Sequence, residues 1–250
     1  MTGERRWALI TGAGHRIGAH LAQTLACHGY GLHLHTRTHD AAPLADRLER
    51  DHRTPTVLHR VDLTDRTAIR TWARELAAAD HPPSLIVNNA SPFPSPHALE
   101  DLGALDEGIA VHLIAPTLLY QALPEPQGGH VVHLLDARLG LWDGLRPGYE
   151  LSKHALAAHT LVAARLLAPR IRVNALAPGL VLPPPGRDRT HLEHLAASRA
   201  PLRAPARLDD LTAALLFLDH APSVTGQILH VDSGEHLGPP CDHARPIRLA

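Results

Sequence analysis

Short apolar runs bounded by turn residues recur along the chain, at residues 7–10, 31–35, 56–59, 85–87, 130–134, 171–176 and 228–231. Longer stretches with helical patterning lie between them, at 17–28, 65–79, 105–123, 149–167 and 208–218. Strands rich in Val, Ile and Leu are buried on both faces, and their alternation with helices predicts a parallel sheet covered on both sides. The expected fold class is therefore α/β, a doubly wound parallel sheet. Ligands in such a sheet bind beyond the carboxyl ends of the strands.

A chain of 250 residues with no Pro/Gly/Ser-rich linker and no internal repeat reads as one domain, 1–250. A formal net charge of −1 offers no basic face for nucleic acid. The polar residues 1–6 run straight into the first strand, leaving no room for the apolar region of a signal peptide. No apolar run is read as long enough to span a bilayer, so a cytoplasmic protein without membrane contact is expected. Only Cys27 and Cys241 are present, far apart, which fits a reducing compartment. Histidine is abundant, with 21 residues. The closest pairs, His33 with His35 and His191 with His194, lack a Cys or second His group at zinc spacing, so no metal is expected and the histidines are read as surface composition.

The first strand runs into Thr11-Gly12-Ala13-Gly14-His15-Arg16-Ile17-Gly18 and then a helix. Glycines there let the backbone turn tightly and approach a pyrophosphate, whose charge the helix N-terminus favours. This strand, turn and helix predict a dinucleotide site of the Rossmann type. At the end of the second strand, Arg37 and Thr38 stand where an acidic residue would hold an NAD ribose. An Arg there can pair with a 2′-phosphate, so NADPH is the expected cofactor. Asp62, after the third strand, is placed to meet the adenine or to cap the next helix. Tyr149 and Lys153 lie four residues apart, on one face of a helix. The Lys charge is expected to lower the Tyr pKa from about 10 toward the working range.

Together these motifs resemble the short-chain dehydrogenase/reductase superfamily over essentially the whole chain. The resemblance rests on the Gly-rich turn, Asp62-Leu63, Asn88-Asn89-Ala90, Tyr149 with Lys153, Arg172-Val173-Asn174, Pro178-Gly179, Thr225-Gly226 and Asp232-Ser233-Gly234. It implies that Gly12, His15, Arg16, Ile17, Gly18, Arg37, Thr38, Asp62, Leu63, Asn89, Ala90, Ser91, Lys153, Pro178, Gly179 and Leu180 bind the cofactor. It also suggests a homotetramer. Three departures are similar to the pteridine reductases, including the bacterial dihydromonapterin reductases. Arg16 stands where most members have glycine, Ser91 follows Asn89-Ala90 in place of another glycine, and Asp136 replaces the catalytic serine. In that branch Arg16, Ser91, Phe93, Asp136 and Tyr149 would contact the substrate, with Phe93 stacking a pterin ring against the nicotinamide.

The expected activity is NADPH-dependent reduction of a dihydropterin of the dihydromonapterin or dihydrofolate type. Hydride would reach a C=N carbon while Tyr149 and Asp136 supply a proton to the nitrogen, with Lys153 completing the catalytic set. A buried Asp136 carboxyl is expected to have a raised pKa and to stay partly protonated. The alternatives are a ketone or cyclic imine reductase and, from a different class, an NADP-sensing regulator without turnover. His112 occupies the place of a water-anchoring Asn and is not counted as catalytic. Residues 182–207 read as a variable substrate lid. The aperiodic tail, 236–250, is expected to reach a neighbouring subunit.

Overall fold

A computed structural model of the chain describes residues 5–124, 128–141, 143–184 and 186–241. Most of the tail expectation, 242–250, therefore lies outside the described residues. Seven parallel strands form one sheet: β1 Trp7–Thr11, β2 Gly31–Thr36, β3 Thr56–Arg60, β4 Leu85–Asn88, β5 Gly129–Leu134, β6 Ile171–Pro178 and β7 Ile228–Val231. Their order is β3-β2-β1-β4-β5-β6-β7, so the direction of winding reverses between β1 and β4. Register follows the apolar pattern, with Leu9 opposite His33 on β2 and Ile86 on β4.

Side chains alternate between two cores, as the two-residue period of a strand requires. Ala8 and Ile10 of β1 join one core with Leu21 and Leu25 of α1 (Arg16–Cys27), Leu44 and Leu48 of α2 (Ala42–His52) and Leu211 and Leu215 of α8 (Leu208–His220). Leu9 faces the opposite core with Ile69, Trp72 and Leu76 of α3 (Arg66–Ala77), where the Asp65 carboxylate caps the helix by accepting from the backbone N–H groups of Thr67 and Ala68. Buried Asp219, near the end of α8, accepts from Arg6, Tyr30 and His130 and ties α8 to the starts of β1, β2 and β5.

Three expectations change here. One helix was not foreseen, α2, and of the loop or short helix open to His191 and His194 the structure has the helix, α7 (Arg189–Arg199) inside the lid. The stretch Leu102–Ala122 is long and apolar enough, by length and composition, to cross a membrane, so the reading that no run reaches that size does not hold. In the fold it forms α4 (Leu102–Ile109), a π turn (Ala110–Ile114) and α5 (Ala115–Leu119), and it packs Val111, Ala115, Leu118 and Leu119 against α3 and β4. The histidines are not confined to the surface either. His33, His35, His112, His130 and His133 are buried, because central strands and the sheet-facing helix leave those positions no route to water.

Candidate active site

The β1-to-α1 turn makes a backbone cradle at the reversal point of the sheet. Gly12 has φ +66°, and a Cβ on Gly18 would lie 2.2 Å from the Gly12 carbonyl oxygen, so no other residue fits that approach. Arg16 opens α1 with φ 52°, a left-handed conformation that explains why a glycine would sit there comfortably. Its guanidinium instead crosses the cleft to donate to the Pro183 carbonyl at 3.1 Å. Asn89 clamps the turn, its amide donating to the carbonyls of Thr11 and Gly12, each at 3.0 Å. The Thr11 hydroxyl accepts from the backbone of Asn89 and Ala90. Unpaired N–H groups at the start of α1 consequently face the cleft.

Arg37 and Thr38 follow β2 on the cleft wall. The Arg37 guanidinium donates to Glu107 of α4 at 2.9 Å, a partner the sequence reading missed because 70 residues separate the two. Asp62 lines the same wall while its Oδ1 accepts from the backbone and hydroxyl of Thr64, which hold its carboxyl below the usual range. Asp62 thus belongs to a turn before α3, whose cap is Asp65.

Beyond the end of β5, Asp136 meets the helix α6 (Pro147–Leu167) that carries Tyr149 and Lys153. The Tyr149 hydroxyl donates to Asp136 Oδ2 at 2.9 Å, and Lys153 Nζ donates to the Leu134 carbonyl at 2.7 Å. Both pKa expectations for the acid pair are reversed. Burial, followed by the facing Asp136 carboxylate, drives the Tyr149 phenol well above its ordinary value. The Lys153 ammonium sits 5.8 Å from the phenol ring centre, too far to overcome them. Burial also pushes the Asp136 carboxyl up, but the charge and hydrogen bonds of Arg138, with a smaller contribution from Tyr149, win and hold it below the usual range. Arg138 supplies its backbone N–H to Oδ1 at 2.9 Å, Nε to Oδ1 at 3.3 Å and Nη2 to Oδ2 at 3.4 Å, and pairs outward with Asp143 at 2.8 Å. Asp136 is therefore ionised and the phenol protonated near neutral pH. Burial, partly countered by Asp136, brings Lys153 down to about 8.

Phe93 projects into the cleft, 56% exposed, with its ring edge-on to Tyr149 at 5.2 Å and the Arg146 guanidinium 4.4 Å from its centre. Ser91 pairs with His112 Nε2 at 2.9 Å, and His112 Nδ1 with the Ser152 hydroxyl at 2.8 Å. His112 lies on the π turn, a feature frequent at functional sites, and bridges the cleft to α6 directly beneath Tyr149. Burial, then the Lys153 charge, keeps it neutral. One cleft of about 780 Å3 is lined by Gly12, His15, Arg16, Ile17, Gly18, Leu63, Ala90 and the remaining residues named from the sequence, including Pro178, Gly179 and Leu180. It also takes in Arg138, Arg146, Leu195, Arg199 and Glu235, which the sequence reading left out. Only Arg138 carried a signal, a basic residue two positions after Asp136.

Comparison with known proteins agrees with this arrangement. The family model described as enoyl-(acyl carrier protein) reductase matches residues 12–236. A dihydromonapterin reductase of Klebsiella pneumoniae is 27% identical over 92% of this chain and 96% of its own. A Streptomyces violaceoruber protein named as a ketoacyl reductase of granaticin polyketide synthase is 29% identical over the same shares. Among solved structures, the FolM alternative dihydrofolate reductase 1 of Brucella canis, complexed with NADP, is 32% identical with a TM-score of 0.83, covering 93% of this chain and 94% of that one. The chain belongs to the short-chain dehydrogenase/reductase superfamily, in its pteridine reductase branch, and is an oxidoreductase.

Proposed function

We propose that this protein is an NADPH-dependent reductase of dihydropterins, of the dihydromonapterin and dihydrofolate type. The observation that carries the reading is the Tyr149–Asp136 hydrogen bond, with a carboxylate held ionised by Arg138 where carbonyl reductases of the superfamily use a serine. The cleft fits the cofactor. Gly12 and Gly18 let the turn pack against Ala90 and the start of α1, whose N-terminus is the part of the cleft that suits a pyrophosphate, and Arg37 with Thr38 suits a 2′-phosphate.

NADPH, when bound, supplies the hydride. The chain's own residues bind, orient and protonate. Phe93 offers a flat apolar face beside Tyr149, on which a heteroaromatic ring gains contact area and is held within reach of the phenol. The Tyr149 hydroxyl holds the proton that a ring nitrogen needs. Asp136 orients that hydroxyl, and the Lys153 ammonium lies on the same face of α6, one turn on. A dihydropterin also carries amino and ring N–H donors, which an ionised carboxylate accepts and a serine hydroxyl would serve less well. From the lid, Leu182 and Pro184, with Leu195 and Arg199 of α7, line the substrate side of the cleft.

A second reading, reduction of a ketone, is favoured by the likeness to the named ketoacyl reductase and opposed by Asp136. NADPH oxidation should be followed with dihydromonapterin, dihydrobiopterin and dihydrofolate beside a panel of ketones and cyclic imines. Turnover of the dihydropterins is expected. Turnover confined to ketones would overturn the pterin reading, and turnover with none would favour a sensor.

A further inference from the structure

Behind the cofactor-side wall, three potential metal ligands converge at the carboxyl end of β7. His230 is on the strand and Asp232 just beyond it. Ser233 and Gly234 then take left-handed conformations, φ 56° and 84°, and fold the chain back so that a short 3-10 turn, Glu235–Leu237, returns His236 over Asp232. His236 Nδ1 lies 2.7 Å and His230 Nδ1 4.0 Å from Asp232 Oδ2. The two imidazoles stack with centres 4.0 Å apart, and the three donor atoms all lie within 4.8 Å of one another. Asp232 is almost fully buried, and His230 Nδ1 is a buried nitrogen with no hydrogen-bond partner.

A buried imidazole nitrogen without a partner is costly, and its neighbours are two further donors of the same chemistry. We propose that His230, Asp232 and His236 bind one divalent transition-metal ion, zinc being the best match to two imidazoles and a carboxylate. Zinc takes such ligands at about 2.0–2.2 Å in a tetrahedron, which places donor atoms about 3.3 Å apart. That spacing lies between the 2.7 Å and 4.0 Å that now separate His236 and His230 from Asp232 Oδ2. The backbone N–H of Gly234 donates to Asp232 Oδ1 at 3.0 Å and that of His236 to Oδ2 at 2.8 Å, so the carboxylate is already oriented. Three protein ligands leave a fourth position for water.

The ion's role is structural. None of the three ligands lines the cleft, but the turn that carries them is coupled to its wall. Gly179 donates its N–H to the Val231 carbonyl at 3.1 Å, and a Cβ on Gly179 would lie 2.7 Å from that of Asp232. Leu202, at the end of the lid, donates to the Ser233 carbonyl at 3.1 Å. An ion here pins the turn that supports residues 178–180 and anchors the lid. The sequence reading passed it over because the spacing His-x-Asp-x3-His becomes compact only through the left-handed turn.

The test uses full-length protein without a polyhistidine tag, freed of metal, titrated with zinc in the presence of a competing chelator. One zinc per chain at micromolar affinity or tighter is expected, with a higher melting temperature. His230→Gln and His236→Gln should each weaken binding at least tenfold, while a His191→Gln, His194→Gln control should leave it unchanged. The wild-type protein loaded with cobalt(II) should show the intense visible absorption of a four-coordinate ion, a readout independent of how the variants fold. Absence of binding, several weak equivalents of equal affinity, or affinity unmoved by both single variants would overturn the proposal.

Discussion

Arg138→Met tests the electrostatics of the acid pair directly. The substitution keeps the backbone N–H that donates to Asp136 Oδ1 and removes both guanidinium contacts. The two side chains are 22% and 21% exposed, between the surface and buried regimes. Exposed pairs contribute about 0–1 kcal/mol and breaking a buried pair costs about 3–5, so a loss of about 2 kcal/mol at pH 7.5 is expected. The pH dependence carries the stronger argument. In the wild type the Asp136 carboxyl lies below its usual range, so its contribution is present above the unfolded value of about 3.9 and is lost as pH falls through the folded one. Without Arg138, burial acts unopposed and the carboxyl moves above its unfolded value. Its ionisation then costs stability at neutral pH, and that cost disappears on acidification. Urea unfolding of wild type and variant at pH 7.5 and pH 5 should therefore give a smaller difference at pH 5. The acid-side inflection of the kcat profile should move upward, because the carboxyl takes up its proton at a higher pH once Arg138 is gone. Equal stability differences at both pH values, with an unmoved inflection, would refute the reasoning and reduce Arg138 to packing.

Three further outcomes follow from the same geometry. Arg37→Gln should raise the KM for NADPH about tenfold to a hundredfold while leaving that for NADH nearly unchanged, since a charge-assisted phosphate contact contributes about 1.5–3 kcal/mol; parallel losses with both cofactors would count against a 2′-phosphate site. Because Lys153 titrates near 8, kcat/KM should fall on the alkaline side with an apparent pKa close to that value, and a flat profile to pH 10 would show that its charge is not needed. Burial holds His33, His35 and His133 below their ordinary value and His59 down to about 4, so these neutral imidazoles stabilise the fold fully above about pH 6.5 and progressively less below it. Urea midpoints should drop between pH 6.5 and 4.5, and a constant midpoint would contradict that account.

The alternation of apolar runs and helical stretches, read without any coordinates, carries most of the sheet. All seven strands lie where the apolar runs stand, six of them longer by a residue or two at one end. The helix that was missed, α2, and the one left open between loop and helix, α7, have a common cause. α2 buries only Leu44, Ala45 and Leu48, and α7 only Leu192 and Ala196, so neither shows a wide apolar stripe. The glycine turn was legible because a steric demand writes itself into residue identity, and the Tyr149–Lys153 pair because helical spacing places both on one face. The charge state of the acid pair was not. Whether Asp136 is protonated depends on which way the Arg138 guanidinium points, and whether Tyr149 is acidic depends on its burial against that carboxylate.

By itself, then, the sequence determined the fold class, the cradle and the cast of chemical groups, because backbone sterics and side-chain periodicity act over a few residues. Tertiary structure alone decided who faces whom. It set Glu107 on Arg37, Arg138 on Asp136, His112 between two serines, and His230 with His236 around Asp232. Proton affinity and metal affinity depend on distances across the fold and on exclusion of water, and neither is a property of any local stretch of chain.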